Sequence, residues 1–84
     1  MILGIHMLIS GNQLKAARAL AGVKQGALAL AAGVNVTTIS AMEAKGADTL
    51  TSGVDTVEKV RKALETHGIE FLNGDAPGVR LRKR

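Results

Sequence analysis

The stretch from Gln25 to Glu43 reads Q-G-A-L-A-L-A-A-G-V-N-V-T-T-I-S-A-M-E. It divides at Gly33 into two short helical runs. The first, Gln25 to Ala32, is rich in Ala and Leu. The second, from about Val36 to Ala44, follows Asn35, a favourable N-cap, and its spacing turns Ile39 and Met42 inward. Two short helices joined by a tight turn approach closely and cross at near-right angles. Such a crossing needs a small residue where the helices touch, and Ala29 supplies it. It also needs a residue that enters the left-handed region without steric cost, and Gly33 supplies that. Leu28, Ala32, Val34, Ile39 and Met42 complete an apolar wedge between the two helices.

Working outward, Ser10 and Gln13 have the spacing of a capping box. Leu14, Ala17, Leu20 and Ala21 then recur at helical intervals, with Lys15 and Arg18 facing out and Gly22 as the stop. Beyond the second run, Gly46 suits a helix C′ position. Residues 46–53 read as a loop rich in Gly, Thr and Ser. Ser52 and Asp55 are alternative caps for a fourth helix whose apolar face is Val57, Val60 and Leu64, ended by Gly68. His67, near that helix's C-terminus, suits a cap better than a catalyst. The pattern then changes period. Ile69 and Phe71 precede the turn residues Asn73-Gly74-Asp75-Ala76-Pro77-Gly78, and Val79 and Leu81 alternate with Arg80 and Arg82, as in a hairpin or paired strands. The chain is expected to be mainly α, with four or five helices and a short C-terminal β-strand or hairpin. Residues 1–9 form an apolar extension, 10–68 the helical domain, and 69–84 a β segment with a basic tail. The pair His6-Met7 has the look of a cloning junction, which would make Met7 the native start.

Eighty-four residues support one small domain, and a core that small usually needs efficient helix packing or a partner subunit. No cysteine is present, so neither a disulfide nor a thiolate metal site is expected. His6 and His67 are too isolated to build a metal centre. The net charge is +4, unevenly spread. Lys15, Arg18 and Lys24 are the only charged side chains before Glu43. Seven acids then face four bases up to Gly78, and Arg80, Arg82, Lys83 and Arg84 follow. Basic ends suit nucleic acid, though ordinary solubilising charge fits the total almost as well. The single aromatic, Phe71, argues against single-stranded binding, which stacks bases on aromatic platforms. No apolar run is long enough for a membrane span, and a cytoplasmic, nucleoid-associated protein is expected. No catalytic constellation, cofactor motif or small-molecule site is read, so an enzyme is not expected.

The spaced set Gln25-x-x-Leu28-Ala29, Gly33-Val34-Asn35, Ile39-Ser40 and Met42-Glu43 resembles the Cro/phage-repressor-type (XRE-like) helix-turn-helix regulators, less sharply over residues 10 to 72. The resemblance implies a lambda-repressor-like domain whose third helix enters the major groove of double-stranded DNA. It implies base-facing positions at Val36, Thr37 and Ala41, with Thr38 and Ser40 close by. It implies phosphate contacts from Lys24 and Gln25, with Asn35 and Lys45 as further candidates. It also implies that Arg18 pairs with Glu43, which would turn Arg18 toward a phosphate. The chain departs from the family pattern because its recognition helix lacks the Arg, Gln or Asn that contact guanine or adenine bidentately. Val36 and Thr37 offer contacts to thymine methyls, and DNA shape is a further source of specificity.

The implied function is a sequence-specific transcriptional regulator that binds an inverted-repeat operator as a homodimer. The alternative is a DNA-binding antitoxin whose termini clasp a toxin. The tail has three readings: a solvated end, a minor-groove or phosphate arm, or a strand. The strand would pair with Ile69-Glu70-Phe71-Leu72 of the same or another chain; a pairing that builds the dimer through Ile69, Phe71, Leu72, Val79 and Leu81 is favoured, with the apolar N-terminal segment able to join the same sheet.

Overall fold

Ser10 sets the start of the first helix. The computed structural model describes residues 8, 10–73 and 77–82. Ser10 lies in extended conformation, and its Oγ accepts the Gln13 N–H at 3.2 Å while Gln13 Oε1 accepts the Ser10 N–H at 3.1 Å. This is the expected capping box, and it opens α1 (Gly11–Ala21). The chain leaves α1 through Gly22 at φ 71°, a conformation that glycine adopts without penalty. It continues as α2 (Gln25–Ala32), α3 (Val36–Ala44), α4 (Val54–Thr66), β1 (Ile69–Leu72) and β2 (Gly78–Leu81). Among the described residues the fold is therefore four helices followed by a two-stranded antiparallel hairpin.

One helix start differs from expectation. Neither Ser52 nor Asp55 caps α4. Gly53 holds the N-cap position, and Asp55 sits inside the first turn, where its charge complements the exposed N–H groups of the helix end. At the other end His67 is the C-cap, its Nδ1 3.0 Å from the Ala63 carbonyl oxygen.

The core draws on every element except β2. Leu14 and Ala17 of α1, Leu28, Ala29 and Ala32 of α2, and Ile39 and Met42 of α3 meet Val60 and Leu64 of α4 and Ile69 and Phe71 of β1. Leu8 closes one end of it. The wedge expected between α2 and α3 is thus buried, with Val34 packed against its edge.

The expected hairpin closes within the chain. β1 pairs with β2 of the same chain, Ile69 opposite Leu81 and Phe71 opposite Val79. The two-residue period of a strand then sends Ile69 and Phe71 to one face and Glu70 with Arg80 to the other. Ile69 and Phe71 are buried in the chain's own core, Leu72 and Val79 are half-buried, and only Leu81 is exposed, at 47%. The physical reason is volume. Phe71 is the largest fully buried side chain, and it joins a core whose helices contribute Ala17, Ala29 and Ala32. Glu70 and Arg80 pair across the strands at 2.5 Å, which neutralises one base of the tail. Residues 1–7, expected as a possible addition to this sheet, and Lys83 and Arg84 lie outside the described residues. Ser10, just after the N-terminal segment, bridges to Thr49.

Two contacts at the start of α1 hold distant parts together. Gln13 is buried, at 4% exposure. Its Nε2 donates toward the Leu72 carbonyl (3.1 Å), Asn73 Oδ1 (3.1 Å) and the Gly78 carbonyl (3.3 Å), which ties both ends of the hairpin turn to α1. Gly11 presses against the end of α3. A Cβ there would run into the Met42 carbonyl oxygen and lie 2.9 Å from the Gly46 nitrogen. Beside it, the Asn12 N–H donates to the Gly46 carbonyl at 2.8 Å. The atoms in the way are backbone and cannot rotate aside. Gly11→Ala is therefore expected to cost roughly 2 kcal/mol by overpacking, about 10 °C in Tm for a domain of this size. A thermal melt that moves by less than about 2 °C would show that the junction of α1 and α3 yields freely.

Candidate nucleic-acid interface

Helices α2 and α3 meet at a bend of 115°. Gly33 at φ 73° makes the corner, where its N–H reaches the Leu30 carbonyl (3.3 Å) and the Val34 N–H reaches the Ala29 carbonyl (3.0 Å). Two carbonyls of the last turn of α2, those of Ala29 and Leu30, are thus bonded within the turn. The angle falls in the range of helix-turn-helix units.

With Ile39 and Met42 turned into the core, the opposite face of α3 is solvent-facing. It presents Val36, Thr37, Ser40, Ala41 and Ala44, all exposed, while Thr38 is half-buried. Four of the five positions expected to face bases therefore lie on one open stripe, and Thr38 lies at its margin.

The helix ends around this stripe are electropositive. The N-cap residues of α2 and α3, Lys24 and Asn35, make no side-chain capping bond, and neither helix has an acid in its first turn. The leading N–H groups of both helices are thus without a side-chain acceptor, a ready arrangement for anions. By contrast α1 has its capping box and α4 has Asp55. Lys15, Lys24, Asn35 and Lys45 are exposed. Lys45 is the C-cap of α3, a full helix length from Val36.

Arg18 and Glu43 form the pair that the resemblance implied. Arg18 Nε is 2.7 Å from Glu43 Oε2 and its second terminal nitrogen is 3.1 Å from Oε1, a two-pronged contact. The remaining guanidinium nitrogen donates to the Val23 carbonyl at 3.1 Å. Gln25 Nε2 also donates to Glu43 Oε1, at 3.1 Å. One carboxylate therefore ties together α1, the start of α2 and the end of α3. Its side chain is only 7% exposed, against 22% for Arg18. Burial pushes the Glu43 carboxyl up, but the hydrogen bonds from Arg18 and Gln25 and the nearby charges of Arg18 and Lys15 outweigh it, and its pKa falls below the ordinary value. The hydrogen bond to Glu43 raises Arg18 against the opposing effect of burial. As phosphate contacts, Arg18 and Gln25 differ from the lysines, since both are half-buried and already hold Glu43. What they have left to offer is the remaining N–H hydrogens of fixed groups. The role of Gln25 in this network was missed by sequence reasoning, because its spacing to Glu43 marks nothing until the helices fold back.

Among the described residues no three His, Asp or Glu side chains gather as metal ligands, and no single helix is long and apolar enough to cross a membrane. No family model matches the chain, and neither does any curated protein.

Glu43 makes the domain acid-sensitive in a way that depends on Arg18. A carboxyl depressed in the folded state contributes stability above its ordinary pKa of 4.5 and loses it as pH falls through the folded value. Arg18→Met strands the carboxylate with only Gln25 and is expected to cost roughly 2–3 kcal/mol near neutral pH, less than a fully buried pair because Arg18 is partly solvated. The stability gap to the parent protein should narrow below about pH 4.5, where protonation relieves the stranded charge. Urea melts that give the same gap at about pH 7 and about pH 3.5 would remove Glu43 from this role.

Proposed function

We propose that this protein is a transcriptional regulator of the Cro/phage-repressor type, which binds double-stranded DNA as a homodimer with α3 in the major groove. The observation that carries the proposal is the α2–α3 unit: a 115° bend through a left-handed glycine, beneath an outward stripe of α3 that bears no charge. Acids on that stripe would repel the phosphates on either side of a groove, and there are none between Lys24 and Glu43. The uncapped starts of α2 and α3 add fixed positive ends suited to backbone phosphates. In this docking, the exposed Lys24 and Lys45 neutralise phosphates, while Val36, Thr37, Ser40 and Ala41 meet base edges.

Size supports the two-fold arrangement. The described chain measures 33 × 31 × 19 Å, small enough for two copies to sit on half-sites one turn of B-DNA apart, roughly 34 Å. With Ile69 and Phe71 committed to the core, a dimer contact on the hairpin would use the exposed Leu81. The antitoxin alternative rests on the terminal segments, most of which lie outside the described residues. Light scattering separates the two: a stable dimer of the purified chain supports the regulator, and a monomer that dimerises neither alone nor on DNA counts against it.

Two substitutions test the docking. Lys24→Glu should weaken binding to all duplex sequences by about ten-fold and reduce the slope of log affinity against log salt by about 1–2. Thr37→Gln, which adds an amide suited to adenine, should instead change the preferred sequence while non-specific affinity stays within about two-fold. Gel shifts in which neither variant differs from the parent chain would overturn the placement of α2 and α3 on DNA.

A further inference from the structure

The outward stripe of α3 has a chemical character that narrows what it reads. Val36 is 46% exposed, and Thr37, Ser40, Ala41 and Ala44 are exposed beside it. None carries an amide, guanidinium, ammonium or carboxylate, so none makes the bidentate contacts that tell guanine, adenine or cytosine apart. The hydroxyls of Thr37 and Ser40 donate or accept as the partner requires, and discriminate weakly. What remains is a row of methyl groups: two on Val36, one on Thr37 and the Cβ atoms of Ala41 and Ala44.

The major groove presents one apolar feature of its own, the C5-methyl of thymine. Val36 opens α3 and Thr37 follows it, at the end of a recognition helix that reaches deepest among the base edges. Ala41 lies one turn further along the same stripe and is small enough for the helix to approach closely. Half-exposed Val methyls that dock on a thymine methyl remove apolar surface from water on both sides. We infer that α3 selects DNA by its pattern of C5-methyl groups, through Val36 and Ala41, and that it accepts 5-methylcytosine where it accepts thymine, because both bases hold the same methyl at the same place in the groove. The inference rests on the regulator reading of this helix and names the chemistry that helix recognises.

The test uses duplexes selected by the purified full chain from a random pool. Each thymine is then replaced singly by deoxyuridine, which removes the C5-methyl and leaves every hydrogen-bonding group in place. Affinity is expected to fall about four-fold for each contacted methyl, the effect of burying one such group. Cytosine at the same position should bind weakly, and 5-methylcytosine should recover about four-fold. Val36→Ser, at a half-exposed position that the core does not use, should shrink the deoxyuridine effect to less than two-fold at the thymine that Val36 contacts and leave it elsewhere. If selected duplexes bind and every deoxyuridine substitution is neutral, the inference fails while the regulator reading stands, with shape as the source of specificity. If no duplex is selected and none is bound, the regulator reading fails and this inference with it.

Discussion

Helix α3 is nine residues long, and a free peptide of that length is at best marginally helical in water. Its N-cap makes no side-chain bond, so little inside the segment stabilises it. The neighbouring elements hold it at three places. Gly33 fixes the angle at which the chain enters. Ile39 and Met42 anchor the underside in the core. Gly11 and Asn12 of α1 press on the exit, where the Gly46 carbonyl accepts the Asn12 N–H. The rest of the domain can be understood as the frame that keeps this short helix formed and correctly tilted.

Glu43 adds a different kind of constraint. Taking a carboxylate and a guanidinium largely out of water is costly, and an apolar pair of the same shape would often stabilise as well or better. What the polar network contributes is geometry. A two-pronged Arg–carboxylate contact has a fixed plane, and here it links the flank of α1, the start of α2 and the last turn of α3. An apolar wedge of Ala and Leu tolerates small slides of one helix over another. The directed bonds to Glu43 do not, so the relative placement of the α2 start and the α3 stripe is held more tightly than packing alone would hold it.

Local and periodic signals in the sequence were enough to place α2 and α3, because turn glycines, helical spacing and small contact residues all lie within nineteen residues of one another. The capping box at Ser10 was legible for the same reason, since both partners sit in one turn. Signals that depend on tertiary closure were not. The side-chain amide of Gln13 reaches residues 59, 60 and 65 positions away, and nothing local distinguishes this from an ordinary cap. Nothing local marks Gly11, because its importance arises from the backbone of α3 lying against it. Phe71 and Ile69 were legible as apolar residues of a strand, but not as parts of the chain's own core. The strand alternation was correct, but which face it buried depended on how much space the Ala-rich helices left unfilled, a volume that no single segment reveals.

The outward surfaces of α2 and α3 differ in kind from that of α4. Helix α4 exposes Asp55, Lys59, Lys62 and Glu65, and its Arg61 bridges Glu58 and Glu65, the usual solvated face of an amphipathic helix. Between Lys24 and Glu43 there is no charged residue, and Leu30 stands 85% exposed. Folding does not explain this, because outward side chains on these helices contribute little to the core and charges there would aid solubility at no structural cost. An apolar outward face gains free energy only when another surface covers it. On the proposed docking, a groove wall lined with thymine methyls covers the α3 part of that face. The absence of charge there follows from the same demand, since an acid would be repelled by the phosphates and an unpaired base or amide would impose a hydrogen-bond requirement on every sequence met.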